Sequence, residues 1–219
     1  RQQLRTLRDA ALQAIIGANE RTPAHPVLLV RGGALVRLKT NEDGRTVAEP
    51  VTNGALLNIL ANVADWEKVN EDEDGKQTDT PAHPPQNVVT ALLNAGEWPG
   101  LPVLEGIVYA PTFTRDGTLH TAPGYDARTR LYNAGNVQLG DTTPTAATVR
   151  AALDLFYGDL VVDFPFADDA SKAHALALYL LPFVRRMIDG PTVMHMASAP
   201  AAGTGKSLLI SLALFPALG

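Results

Sequence analysis

The sequence contains no cysteine among its 219 residues. Disulfide bonds, cysteine zinc sites and thiol catalysis are therefore excluded. The chain also lacks a basic excess, because its formal net charge is -5, and this argues against a self-sufficient DNA-binding module. Its longest apolar run, LLISLALFPALG at 208–219, is too short to span a bilayer, and the N-terminus is too polar for a signal peptide. We therefore expect a cytoplasmic protein with no membrane partner.

What is present is a globular composition, with 46% hydrophobic and 19% charged residues, which is sufficient to bury a core. Helical spacing of apolar residues is found in three stretches of the first half, 2–18, 53–65 and 87–96. Between the first two, Gly32-Gly33 predicts a hairpin turn inside the strand-forming run 27–38, and TVAEPV is a third strand. The polar, acidic residues 67–85 are interpreted as an exposed loop.

Residues 98–140 alternate short apolar runs with turn residues, which predicts a β-rich stretch with a hairpin at Asp116-Gly117. After it the composition changes, and helices are predicted. Thr143-Pro144 would begin a helix that buries Val149, Leu153 and Phe156 and ends at Gly158.

A second helix is predicted at 169–181, with Asp168 as its N-cap and Pro182 ending or kinking it. Residues 192–197, TVMHMA, are interpreted as a buried strand, and a helix should begin near Gly205. The fold class is therefore α/β in a broad sense. It comprises an N-terminal helix and linker, a mixed α+β domain, a helical connector and the start of a P-loop ATPase domain, at 1–26, 27–140, 141–190 and 191–219.

Residues 198–210 read SAPAAGTGKSLLI and contain the core of the pattern G-x-x-x-x-G-K-[ST]. In such a loop, backbone N–H groups point at phosphates, and the N-terminus of the following helix adds positive potential. Lys206 would reach the β- and γ-phosphates of ATP, and Ser207 would place its hydroxyl on Mg²⁺. The first position is Pro200 instead of glycine, which removes one N–H.

We therefore predict a site for ATP and Mg²⁺ in which Lys206 is also the catalytic residue. The predicted nucleotide-binding residues are Ala202, Gly203, Thr204, Gly205, Lys206 and Ser207. The alternative is a glycine-rich turn that starts a core helix and leaves Lys206 solvated. Residues 208–219 contain no carboxylate, so we expect the stretch to open an ATPase domain and the chain alone to be inactive in hydrolysis.

Two further stretches carry a family resemblance. The run D-G-T-L…P-G-Y-D at 116–126 and the run A-H-A-L-A…P-F-V-R…G-P-T at 173–192, together with the loop, resemble replication proteins of phages and integrative elements in the primase–helicase group. The resemblance covers roughly residues 27–210. It implies ATP-driven translocation on DNA, single-stranded or at a fork, by a homo-oligomeric ring in a bacterial host cell, with a primase or initiator as a further partner.

The resemblance leaves two other functions open. The chain could be a non-enzymatic DNA-binding or protein-docking module with an inactive loop, or a P-loop kinase of a small molecule, which would not need the long upstream domain. The family's acidic Mg²⁺ ligand and arginine finger have no matching position in this sequence.

Four arginines are candidates for nucleic-acid contact, namely Arg128, Arg130, Arg185 and Arg186. The first two lie beside tyrosines, which is typical of a basic–aromatic surface, and the other two precede the predicted ATPase strand. The alternatives are ordinary surface arginines at a hairpin turn and at a helix end. Asp168-Asp169 resembles a catalytic carboxylate pair, although helix capping explains it better.

Overall fold

The computed structural model describes residues 4–71, 77–140, 143–201 and 203–218. The fold is mixed α/β, built of helices and small sheets, and the chain divides into two compact units. Unit 1 comprises Arg1–Ile107 and Gly124–Tyr132, and unit 2 comprises Val108–Pro123 and Asn133–Gly219. Among the described residues, no helix combines the length and the hydropathy that crossing a bilayer would require.

The α-helices are α1 (Leu4–Arg21), α2 (Asn53–Val63), α3 (Gln86–Leu93), α4 (Ala146–Asp154), α5 (Asp169–Val184) and α6 (Lys206–Leu218). The strands are β1 (Leu29–Arg31), β2 (Ala34–Thr40), β3 (Thr46–Pro50), β4 (Glu67–Glu71), β5 (Gln77–Pro81), β6 (Gly106–Val108), β7 (Thr112–Phe113), β8 (Leu119–His120), β9 (Gly124–Asp126) and β10 (Leu131–Asn133).

Unit 1 is centred on the three helices α1, α2 and α3, which pack against one another. Leu56 and Leu60 of α2, and Val88 and Leu92 of α3, are almost completely buried. In each helix the two residues are four positions apart, so they lie on one face. Ile15 of α1 is in the same core, which explains why α1 belongs to unit 1 and does not stand apart as the expected segment 1–26.

The predicted hairpin at the start of the sheet is confirmed. β1 pairs antiparallel with β2, and Gly32 and Gly33 between them have φ of 57° and 77°. Two consecutive residues with positive φ form the turn that matches the twist of a two-residue hairpin. The predicted third strand is present as β3, which pairs antiparallel with β2.

A buried asparagine near the end of α1 forms hydrogen bonds with the residues just before β1. The Asn19 Nδ2 donates to the Leu28 carbonyl at 2.8 Å, and its Oδ1 accepts from the N–H groups of Val27 at 2.7 Å and Leu28 at 3.3 Å. Asn19 is only 7% exposed. Since buried backbone groups must be paired, one amide side chain satisfies three groups that neither the helix nor the sheet supplies with partners.

In α2 and in α3, a carbonyl near the end of the helix accepts a hydrogen bond from the indole of a tryptophan that follows the helix. The Trp66 indole N–H donates to the Leu60 carbonyl at 3.0 Å, and the Trp98 indole donates to the Leu92 carbonyl at 2.7 Å. The last carbonyls of a helix have no partner inside it, so each indole satisfies one of them while its ring packs on the core.

Unit 2 is held by an aromatic cluster. Phe156 and Val161 are buried with Ala175 of α5, and Tyr157, Phe164, Phe166 and Tyr179 pack around them. α5 begins as predicted, because the Asp168 carboxylate accepts from the Ser171 N–H at 2.7 Å. The hairpin of β7 and β8 packs on α5; this explains why 108–123 groups with unit 2 and not with the expected domain 27–140.

Helix α4 differs from its prediction in three respects. Its N-cap is Thr145, whose side chain accepts from Thr148 N–H, and not Thr143. The helix continues into a π-helical turn, Leu155–Leu160, which includes Gly158, so Gly158 does not terminate it. Val149 is 52% exposed, and α4 itself buries none of its residues.

Three other sequence predictions are wrong. The polar stretch 67–85 contains the antiparallel hairpin β4–β5, whose residues on β5 are exposed, so no apolar alternation marked it. The second predicted helix, 169–181, continues past Pro182 to Val184, because the one hydrogen bond that proline removes falls in the last turn. Residues 191–199 form no strand.

We predict that Asn19→Ala lowers the free energy of unfolding of unit 1 by about 2–4 kcal/mol. Each buried backbone group left without a partner costs about 1–3 kcal/mol. The measurement is native-state hydrogen exchange of the core amides of α1 and α3. Asn62→Ala is the matched control, because Asn62 is exposed on α2, and its effect should stay within about 0.5 kcal/mol. Equal effects of the two substitutions would contradict the role of Asn19.

Candidate phosphate-binding loop

The loop before α6 has the backbone that a phosphate cradle requires. Gly203 and Gly205 have φ of 80° and 83°, which is the left-handed region that glycine adopts without strain. α6 begins at Lys206, directly after the second glycine. The first N–H groups of a helix have no partner within it, so those at the start of α6 lie where the predicted phosphates would bind.

The Lys206 side chain folds back over this loop. Its Nζ donates to the Ala201 carbonyl at 3.2 Å and lies 3.5 Å from the Thr204 hydroxyl oxygen, and that hydroxyl donates to the same carbonyl at 3.4 Å. A carbonyl and a hydroxyl are weak partners for an ammonium group, and a phosphate oxygen would be a stronger one. Among the described residues, the contacts of this ammonium group include no carboxylate.

The remaining predicted loop residues are placed as follows. Ser207 is exposed at the first turn of α6, so its hydroxyl is open to solvent and to a metal ion. Thr204 is half-buried. Ala202 lies outside the described residues. Gly203 faces open space, since a Cβ built on it would meet nothing within 4 Å.

These residues fit the magnesium complex of a nucleoside triphosphate. The loop offers backbone N–H donors, one ammonium group and one hydroxyl, and hydroxyl oxygen is a suitable ligand for Mg²⁺. No carboxylate is needed for phosphate recognition itself. The fit therefore extends to binding of the phosphates, and Lys206 and Ser207 are the side chains that would make it.

The segment that precedes the loop differs from its prediction. Residues 192–197 form no strand, and Val193, Met194 and Met196 are 77%, 88% and 82% exposed. A strand is stabilised by the ladder of hydrogen bonds to its neighbours, and this segment pairs with none of the described strands. His195 within this segment is half-buried.

Contacts with the aromatic cluster of unit 2 hold the loop in place instead. A Cβ built on Gly205 would lie 3.4 Å from Cε2 of the Phe164 ring, so this ring is the nearest group that a side chain at position 205 would meet. One turn later, Leu209 of α6 packs into the same cluster. The backbone bond from the Leu209 N–H to the Gly205 carbonyl, at 2.9 Å, joins the two contacts.

The sequence prediction did not include Phe164 as part of this site. The signal was present in the run LFYGDLVVDFPF at 155–166, which concentrates four aromatic residues in twelve positions. We interpreted that region as helix and linker, because no motif connects it with the phosphate loop.

Two of the candidate nucleic-acid arginines form ion pairs in unit 1. Arg128 Nη2 lies 3.1 Å from the Asp126 carboxylate, and Arg130 Nη1 lies 3.5 Å from Glu105. Arg130 also has a positive φ of 56° at the turn before β10. Tyr125 donates its hydroxyl to the Val103 carbonyl at 2.8 Å, and burial raises the pKa of this tyrosine. These contacts match the alternative of a hairpin turn with surface arginines.

The other two arginines lie at the end of α5 in unit 2. Arg185 donates to the carbonyls of Ile188 at 3.0 Å and Gly190 at 3.1 Å. Cations are stabilised at the negative end of a helix, so Arg185 matches the structural alternative. Arg186 is half-buried in the short 3₁₀ turn Arg185–Met187.

The carboxylate pair Asp168-Asp169 is divided between two roles. Hydrogen bonds from the side chain and backbone of Ser171 lower the pKa of Asp168, as befits a helix cap. Asp169 lies 3.8 Å from the Lys172 ammonium group, one turn along α5. These contacts match the helix-capping alternative for the pair.

No family model, no curated protein and no solved structure matches this chain.

We predict that Gly205→Ala destabilises the start of α6 more than Gly203→Ala does. Both substitutions force alanine into a left-handed conformation, at a cost of about 1–2 kcal/mol, but only the Cβ at position 205 also presses on Phe164. Hydrogen exchange of the α6 amides measures the difference. Gly140→Ala is the control, since Gly140 has no positive φ and no atom within 4 Å of its built Cβ. Equal effects at 203 and 205 would contradict the contact with Phe164.

Proposed function

We propose that this chain binds ATP as its magnesium complex at the loop 200–207. We further propose that it belongs to an ATP-dependent DNA helicase or translocase, acting in the replication of a phage or another mobile element. The observation that carries the nucleotide site is the position of Lys206, whose Nζ is held over the loop by Ala201 and Thr204. The two left-handed glycines and the helix that starts at Lys206 support the same assignment.

In the proposed site the residues have separate roles. The N–H groups of the loop and of the first turn of α6 would bind phosphate oxygens. Lys206 would exchange its present carbonyl partner for the β- and γ-phosphates, and Ser207 would orient Mg²⁺. When bound, Mg²⁺ supplies charge neutralisation to the phosphates. Translocation on DNA rests on the resemblance of 116–126 and 173–192 to the primase–helicase group.

We predict that Lys206→Ala weakens binding of a non-hydrolysable ATP analogue with Mg²⁺ by about 10- to 100-fold. Charge-assisted hydrogen bonds contribute about 1.5–3 kcal/mol each, which corresponds to this range. NMR titration of the chain measures the affinities even where binding is weak. Lys68→Ala is the matched control, because Lys68 is an exposed lysine of β4 in the other unit. Equal affinities of the Lys206 variant and the unsubstituted chain would contradict the site.

The translocase assignment needs its own test. We predict that the whole protein that carries this chain hydrolyses ATP faster in the presence of single-stranded DNA, and that Lys206→Ala abolishes the stimulated activity. A steady-state assay with and without DNA measures this. DNA binding without hydrolysis in either protein would instead support the non-enzymatic docking module. Hydrolysis that DNA does not affect would contradict the translocase.

A further inference from the structure

A cavity lies beside the phosphate loop in unit 2. Its volume is about 370 Å³, and it is lined by Tyr157, Val161, Val162, Phe164, Phe166, Asp169 and Lys172. This volume is within the range of small-molecule sites, which are mostly apolar and carry a few polar groups that fix the orientation of the ligand. The lining has that character, with three aromatic rings and one carboxylate–ammonium pair.

One residue, Phe164, lies at both the cavity and the phosphate loop. It lines the cavity, and its ring would lie 3.4 Å from a Cβ built on Gly205. Gly205 is the residue before Lys206. A ligand whose phosphates bind at the loop can therefore extend past Gly205 and meet the aromatic lining.

Three aromatic side chains line the cavity. The π-helical turn Leu155–Leu160 buries Phe156 while its neighbour Tyr157 reaches the cavity, and the Tyr157 hydroxyl donates to the Lys172 carbonyl at 3.4 Å. π-Helical turns occur frequently at functional sites. Phe164 and Phe166 lie with ring centroids 4.8 Å apart, so two flat rings line adjoining parts of the wall.

The two charged side chains at the rim can form hydrogen bonds with the polar groups of a purine base. The Asp169 carboxylate can accept from an exocyclic amine, and the Lys172 ammonium group can donate to a ring nitrogen or carbonyl. The two side chains lie 3.8 Å apart and both are exposed, so each can turn toward a ligand. Aromatic side chains stack on bases with little dependence on sequence, and the larger purine ring would cover more of this wall.

We infer that this cavity binds the purine base of the nucleotide whose phosphates occupy the loop. The inference rests on the proposed nucleotide site, and it adds the base-recognition half of that site. Phe166 and Tyr157 supply stacking surface, Asp169 and Lys172 supply polar contacts, and Phe164 couples the base to the loop.

The test separates the two halves of the site by using ligands with and without a base. The unsubstituted chain is titrated by NMR with the magnesium complexes of a non-hydrolysable ATP analogue, of the corresponding CTP analogue and of inorganic tripolyphosphate. The ATP analogue should bind about tenfold more tightly than tripolyphosphate, the order that one base–aromatic stack contributes, and more tightly than the CTP analogue. Resonances of 157–172 should shift with the ATP analogue and not with tripolyphosphate.

Phe166→Leu then tests the cavity, since leucine keeps the apolar character but removes the flat ring. It should weaken the ATP analogue about tenfold and leave tripolyphosphate unchanged. Phe183→Leu is the matched control, because Phe183 packs on Tyr179 and does not line the cavity. The double variant Asp169→Asn/Lys172→Gln, at two exposed positions, should reduce the preference for the ATP analogue over tripolyphosphate without affecting folding.

The outcomes are distinguishable. Equal binding of tripolyphosphate and the ATP analogue overturns the base site and leaves the phosphate site standing. A preference for the ATP analogue that survives Phe166→Leu and the double variant also overturns the base site. Binding of neither ligand overturns the proposed function, and the base site with it.

Discussion

The candidate site depends on one close approach, that of position 205 to the ring of Phe164. Because Gly205 has a positive φ and no side chain, the chain can turn beside the ring and begin α6 at the next residue. Leu209 then anchors the first turn of α6 in the same aromatic cluster. Aromatic packing therefore orients the first turn of α6 and its free N–H groups. The residues that position the candidate phosphate loop are themselves apolar and have no groups that bind phosphate.

This arrangement explains how the loop is positioned although the segment before it is not a strand. In the described structure, Met194 and Met196 are exposed and contribute little packing. The stabilising contacts come from the aromatic cluster, which has Phe156 and Ala175 among its buried residues. Lys206 is held locally, by the Ala201 carbonyl and the Thr204 hydroxyl. Loop shape and lysine position therefore both arise from short-range contacts within unit 2.

The features that the sequence predicted are those that neighbouring residues determine. The Gly32-Gly33 turn, the Asp168 cap and the start of α6 each depend on a few adjacent residues, and each was located within a residue or two. The wrong predictions have separate causes. The segment 192–197 has the composition of a strand but no neighbour to pair with among the described strands. The π-helical turn at 155–160 contains Gly158, which was predicted to end the helix, and the hairpin β4–β5 lacks the apolar alternation that marks a strand.

The same distinction applies to the site. A spacing motif made Lys206 and Ser207 the candidates for phosphate and Mg²⁺ contact, because phosphate recognition uses consecutive residues of one loop. The cavity uses Tyr157, Phe166 and Lys172, which come together only when the π-helical turn packs on α5. No pattern of spacing connects such residues in a single sequence. They resembled ordinary core and surface positions until the structure placed them around one space.

The two tryptophans that bind the ends of α2 and α3 give unit 1 a fluorescence signal of its own. Trp66 and Trp98 are the two tryptophans of the sequence, and both lie in unit 1, whereas Tyr109, Tyr157 and Tyr179 lie in unit 2. Indole emission therefore originates in unit 1 alone, and it is sensitive to the loss of the two hydrogen bonds to Leu60 and Leu92. Fluorescence excited at the red edge of the aromatic band follows the unfolding of unit 1, while backbone dichroism follows both units. The two transitions can be separated in this chain without any label.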